Sequence, residues 1–244
     1  MPSVGKTVVI TGGNTGIGKE TARIVAWRKA RVIIGCRNIT KGLQAAAEII
    51  ENTGNRNVEV KKLDLSSFKS VRKFAEEINE EEDRVDVLIN NAGYFGPYLS
   101  TVDGLENTIQ VNYLSHFLLS HLLLDKLKAC SPSRIVNVSS QQHAKVSQID
   151  INKVLSQKKE DYGVFKVYSN SKLCQLLSTI EMSKRLKGTV ISGDKLAIYF
   201  QVLCLLCKLK TVSSSLCSSL DRGHYVVSLG KTLYSHSASL HLGV

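Results

Sequence analysis

Regularly spaced cysteines are the first thing this chain lacks. Its six, Cys36, Cys130, Cys174, Cys204, Cys207 and Cys217, are scattered without the intervals of a disulfide framework, which fits reduced thiols in a cytosol-facing protein. Cys204 and Cys207 form a single Cys-x-x-Cys with no second ligand pair, so no metal site is expected. Long apolar runs are missing too: the longest, Leu196 to Leu206, is interrupted by Gln201 and falls short of the ~20 residues that span a bilayer. Only six residues precede Thr7, so no signal peptide is expected ahead of the first strand. Aromatic residues are few among the basic ones, and the 32 Lys and Arg are spread along amphipathic stretches. That pattern argues against a nucleic-acid surface despite a net charge of +11, and favours a basic cofactor cleft. Two glycosylation sequons, at Asn38 and Asn137, fall where such a cleft is expected and read as chance matches.

What is present is organised around TVVITGGNTGIG, Thr7 to Gly18. Val8, Val9 and Ile10 make a short apolar strand, Gly12, Gly16 and Gly18 a tight turn, and Lys19 to Trp27 a helix. Glycines at such a junction let a pyrophosphate approach the main chain and the positive end of the following helix. Strand and helix patterns then alternate: strands at 31–35, 58–63, 85–89 and 134–138, and helices at 40–52, 67–81, 103–128 and 167–187. Ser66 or Ser67 is the expected cap of the 67–81 helix, and Ile109, Asn112, His116, Leu119 and Leu123 form one stripe of the long helix. The alternation predicts a single-domain, doubly wound (Rossmann) α/β fold with a mostly parallel sheet, whose ligands sit beyond the carboxyl ends of the strands.

Those strand ends collect the informative residues. Thr11 to Gly18 follows the first strand, Cys36-Arg37-Asn38 the second, Asp64-Leu65 the third, Asn90-Asn91-Ala92-Gly93 the fourth and Ser139-Ser140 the fifth. With Tyr168-Ser169-Asn170-Ser171-Lys172 on the next helix, the chain resembles the short-chain dehydrogenase/reductase family. Through GKTVVITGGNTGIGKETA, GCRN, KLDLSS, DVLINNAG, NYLSHFLLSHLLLDKLK and PSRIVNVSS, it is most similar to the retinol dehydrogenase branch, over about residues 4 to 187.

Tyr168 and Lys172, four residues apart, share a helix face. A tyrosine of ordinary pKa near 10 is a poor base at neutral pH, and a nearby ammonium favours its phenolate, making it a usable acid or base. Taken alone, such a pair is usually a packed ring and a solvated amine; co-occurrence at one end of one sheet reverses that. The resemblance implies that Tyr168 moves a proton to or from the substrate oxygen while hydride moves between nicotinamide and carbon. It implies that Lys172 also holds the ribose, that Ser140 (alternatively Ser139) donates to the substrate oxygen, and that Asn112 supports a relay water. It implies a cofactor bed of Gly12, Asn14, Thr15, Gly16, Ile17, Gly18, Arg37, Asn38, Asp64, Leu65, Asn91, Ala92, Gly93, Tyr168 and Lys172. An acidic residue at the end of the second strand suits NAD and a cationic one NADP; Arg37 stands there, so NADP(H) is the expected cofactor.

The expected activity is interconversion of retinaldehyde, or similar apolar aldehydes and ketones, with their alcohols. A catalytically impaired dinucleotide-binding or dimerising relative is the alternative. The resemblance extends to a homodimer through the two long helices and to peripheral membrane contact, with residence in the cytoplasm or on the cytosolic face of the endoplasmic reticulum. Residues 188–244 leave the pattern of the 1–187 catalytic domain: they hold ten serines and three cysteines but no glutamate, asparagine or proline, as sequence from an alternative exon or shifted reading frame would. Ser192-Gly193-Asp194 replaces the Pro-Gly turn of relatives, so the last strands of the sheet are expected to be missing or replaced: 189–191 could begin a sixth strand, and 196–209 and 225–229 could supply strands or helices, their pattern not deciding which.

Overall fold

A computed structural model of the chain describes residues 4–186 and 199–204. Its strands are β1 (Thr7–Thr11), β2 (Arg31–Cys36), β3 (Val58–Lys62), β4 (Val87–Asn90), β5 (Arg134–Ser139) and β6 (Tyr199–Cys204). They form one sheet in the order β3-β2-β1-β4-β5-β6, every neighbouring pair parallel. The chain therefore winds outward from β1 in one direction and from β4 in the other, and a crevice opens between their carboxyl ends.

Helices cover both faces. α1 (Gly16–Trp27) and α2 (Ile39–Thr53) contribute Ala22, Val25, Ala26 and Ile49 to one core layer, against Val8 and Ile10 of β1 and Val32 and Ile34 of β2. On the other face, Val9 and Ile33 meet Val71, Phe74, Ala75 and Ile78 of α3 (Phe68–Glu81). Period-two alternation along each strand thus feeds two apolar layers, which is why central strands read as unbroken apolar runs. Ser67 caps α3, its hydroxyl accepting from the amide of Ser70.

The helix expected over 103–128 is instead broken. α4 (Asn107–Ile109) passes through a π-helical turn at Gln110–Leu114 into α5 (Ser115–Leu122), and α6 (Leu124–Ala129) follows. A π turn carries one residue more per hydrogen-bonded ring, and such turns gather at functional sites. After β5 come a 3₁₀ turn (Gln141–Lys145), the short α7 (Ile151–Leu155) and α8 (Val164–Leu186). β6 lies within the 196–209 stretch and pairs with β5 from Arg134↔Tyr199 to Ser139↔Cys204, so the sheet has a sixth strand built from divergent sequence. The candidates at 189–191 and 225–229, and the division at 187/188, lie outside the described residues.

The amino ends of the strands carry charge rather than chemistry. The Arg31 guanidinium donates to Glu82 at 2.7 and 2.6 Å and to Glu59 at 2.5 Å, while Lys61 reaches Glu81 at 2.6 Å and Glu59 at 3.0 Å. Asp86, buried beside β4, accepts from the Thr7 amide at 2.8 Å and from Arg84. No helix among the described residues is long and apolar enough to cross a membrane.

Candidate active site

A cleft of about 680 Å³ opens over the carboxyl ends of β1, β2, β3 and β4. Gly12, Asn14, Thr15, Ile17 and Gly18 make its wall at the head of α1. Gly12 adopts φ +66°, a left-handed conformation that side-chain-bearing residues rarely adopt. Gly18 is required for a different reason: a Cβ there would lie 2.3 Å from the Gly12 carbonyl oxygen and 2.4 Å from Asn91 Nδ2. The result is a bare backbone cradle at a helix N-terminus, a fit for a pyrophosphate.

The cleft continues past Arg37, Asn38 and Lys41 at the end of β2, and past Asp64 and Leu65 after β3. Arg37 and Lys41 are exposed, and Lys62 adds its ammonium to the Arg37 carbonyl at 2.6 Å, so this corner is cationic. Asp64 is fixed by its own turn, its carboxylate accepting from the amide and hydroxyl of Ser66. The α5 residue Ser115 donates to the Leu65 carbonyl at 2.6 Å, which ties the β3 end to the π turn.

Opposite the glycines stand Asn91, Ala92, Gly93, Tyr94, Tyr168 and Lys172. Lys172 is 3% exposed, and its ammonium donates to the Val138 carbonyl at 2.8 Å with Nζ 5.8 Å from the centre of the Tyr168 ring. Tyr168 is held upright by Phe95, edge-on at 5.2 Å, which in turn meets Phe165 at 5.1 Å. α8 thus presents a phenol and an ammonium, one turn apart, to the same space the glycines frame.

Three expected site residues do not line the cleft: Gly16, Asn112 and Ser140. Gly16 occupies the first turn of α1 at φ +53°. Asn112, in the π turn, commits its whole amide to structure: Oδ1 accepts from the Tyr94 amide at 2.6 Å, and Nδ2 donates to the Tyr94 carbonyl and to Ser171 Oγ, both at 3.0 Å. Ser139 lines the cleft but is fully buried, its hydroxyl donating to the Lys172 carbonyl at 3.4 Å. Ser140 is half-buried, and its hydroxyl accepts from the Gln142 amide at 3.3 Å. Lys41, Tyr94, Phe95, Asn107 and Val111 line the cleft without having been singled out in sequence. Lys41 carried a usable signal, a cation four residues after Arg37; the aromatics of the loop after Gly93 carried none.

The sequon asparagine Asn137 is buried, bonded to Asn90 at 2.8 Å and to Thr179 at 2.9 Å, as a chance match would be. Cys36 and Cys174 are free thiols that burial pushes up, Cys174 to about 11, so both stay protonated.

A family model described as short chain dehydrogenase matches residues 6–151. Human retinol dehydrogenase 12 is 47% identical over 215 residues, 84% of this chain and 67% of that protein. Human retinol dehydrogenase 11 is 51% identical over 189 residues, 77% of this chain and 58% of that protein. The chain therefore spans about three fifths to two thirds of the length of these relatives. Among solved structures, an uncharacterised protein from Mycobacterium paratuberculosis superposes with a TM-score of 0.71 at 38% identity, over 84% of this chain and 69% of that one. Pseudomonas aeruginosa RhlG, solved with NADP, shares the fold at 24% identity and a TM-score of 0.62, over 82% of this chain and 70% of that one. With the family model covering more than half of its length, the chain belongs to the short chain dehydrogenase family of oxidoreductases.

Proposed function

We propose that the chain is an NADP-dependent oxidoreductase that interconverts retinaldehyde, or a similar apolar carbonyl compound, with its alcohol. The observation that carries this reading is that Tyr168 and Lys172 line the same cleft as Gly12 and Gly18. The glycine cradle fits a pyrophosphate, the Arg37 and Lys41 corner fits a 2′-phosphate, and the names of the relatives supply the substrate class.

When bound, the dinucleotide supplies the hydride to the carbonyl carbon, or takes it back from the alcohol. Tyr168 gives its phenolic proton to the carbonyl oxygen in the reducing direction and accepts it in the other. The Lys172 ammonium stabilises the negative charge left on the phenol oxygen, and because it is buried its field is little screened. Ser140, the more accessible of the two serines, donates a hydrogen bond to the substrate oxygen. Asn112, its amide spent on Tyr94 and Ser171, ties the backbone after Gly93 to α8 beside Tyr168 rather than carrying the relay water on its side chain. Phe95 and Phe165 offer an apolar wall beside the reacting oxygen. The reading includes a homodimer and residence in the cytoplasm or at the cytosolic face of the endoplasmic reticulum.

Cofactor absorbance with NADPH and all-trans-retinal tests it. Turnover is expected for the wild type, with a loss of at least about a hundredfold in Tyr168→Phe, the usual size of a general acid's contribution. Arg37→Ala should raise KM for NADPH about tenfold and leave NADH unaffected, as removal of one charge-assisted contact predicts. NADPH binding without turnover in the wild type would instead identify a non-catalytic relative.

A further inference from the structure

The hydroxyl of Thr11, the last residue of β1, stands at a crossing of three chain segments. Its Oγ1 receives the amides of Asn91 and Ala92, each at 3.0 Å, and lies 2.9 Å from Nε2 of His116. A threonine hydroxyl has two lone pairs and one proton. Both lone pairs are taken by the amides, so the proton points at His116, and Nε2 must be the bare, accepting nitrogen. The ring's own proton is then on Nδ1, 3.3 Å from the carbonyl of Asn112 in the π turn. His116 is 2% exposed, and burial, with the Lys172 charge adding to it, lowers its pKa from 6.5 to about 3. An imidazolium would aim a second N–H at an oxygen with no lone pair left.

We infer that His116 is a positioning residue for the dinucleotide cleft: by accepting the Thr11 proton it turns that hydroxyl's lone pairs onto the amides of Asn91 and Ala92 and holds the β4 end against the glycine loop. The inference rests on the dinucleotide reading above. The seam it holds is tight. A Cβ on Gly12 would lie 3.0 Å from Ala92 Cα, and Asn91 Nδ2 donates to the carbonyls of Thr11 at 3.0 Å and Gly12 at 3.4 Å. Without an acceptor on the helix side, the Thr11 proton has to compete with one of those amides, and the β4 end moves off the cradle.

The test is a double-mutant cycle on NADPH binding, by calorimetric titration, with a thermal melt of each variant. Thr11→Val and His116→Leu are each expected to weaken binding about tenfold, the double variant no further than either, because both cut one chain of bonds. His116→Gln, whose amide oxygen can accept the same proton, should return to within about threefold of wild type. Losses that multiply in the double variant, or a lowered melt with unchanged affinity, would overturn the inference. Should the variants fail to fold, the ring nitrogen shifts of the wild type decide: an Nδ1–H neutral ring at pH 7 is expected, and an Nε2–H ring or an imidazolium overturns it. Wild type that does not bind NADPH sinks the dinucleotide reading and this inference together, whereas binding by wild type with unaltered variants sinks only the inference.

Discussion

Among the described glycines, Gly18 leaves the least room for a methyl group. The atoms an added Cβ would strike, the Gly12 carbonyl oxygen at 2.3 Å and Asn91 Nδ2 at 2.4 Å, belong to the cradle itself. Gly18→Ala is therefore expected to open the loop by a fraction of an ångström to an ångström, and steady-state kinetics should record a loss near a hundredfold in kcat/KM for NADPH. At this scale the sequence was informative wherever a residue's role follows from its type and spacing. Tyr168 and Lys172, four apart, share a helix face by geometry, and the glycines stand between an apolar strand and a helix. It was silent where roles depend on contacts between distant segments. Nothing local marks Asn112 as a clamp between Tyr94 and Ser171, or His116 as the acceptor for a hydroxyl 105 residues away.

Between elements, small polar side chains do the fastening. Asn55, 6% exposed, donates to the carbonyls of Ala26 and Ala30, both at 2.8 Å, and accepts from the Asn57 amide at 3.0 Å. It ties the end of α1 to the start of β3 across the entry to β2. Asn55→Ala leaves the Ala30 carbonyl and the Asn57 amide short of a partner, while the Ala26 carbonyl keeps the Lys29 amide, so chemical denaturation should show a loss of about 2 kcal/mol with an unchanged m-value. The strands and α1 to α3 were legible because period two and period 3.6 are both plain in their apolar residues. The helix expected over 103–128 was not resolved into its parts. Its stripe at 109, 112, 116, 119 and 123 alternates steps of three and four, as an unbroken helix does, and the extra residue of the π turn leaves that spacing undisturbed. The 3₁₀ turn and α7, five residues each, are too short to show a period.

For the molecule as a whole, acid should be the sensitive direction. Because the His116 pKa in the folded state lies below its ordinary 6.5, the unfolded chain binds that proton more readily. Stability present above pH 6.5 is then lost as pH falls toward about 3, by up to about 1.4 kcal/mol per unit of pH. Melting temperature measured across that range should fall on the acid side, and His116→Gln should flatten the fall. The sheet's edge is a second property of this scale. β6 occupies the hydrogen-bonding edge of β5, so a chain ending at residue 186 would present Arg134–Ser139 as an open, apolar edge strand, and light scattering should show it aggregating where the full chain does not. The 196–209 stretch stands out in the sequence as a replacement element, but its apolar run has no period that decides between strand and helix.

The Arg31 ion pairs with Glu59 and Glu82 sit at the amino ends of β2 and β3, and the cleft at the carboxyl ends of the strands. A strand of five residues separates the two by roughly 16 Å, beyond the ~8 Å over which exposed charges feel one another in physiological salt. The underside can therefore be rebuilt for thermal endurance without retuning Tyr168, and selection on shelf life and selection on the cleft have separate territory on which to act.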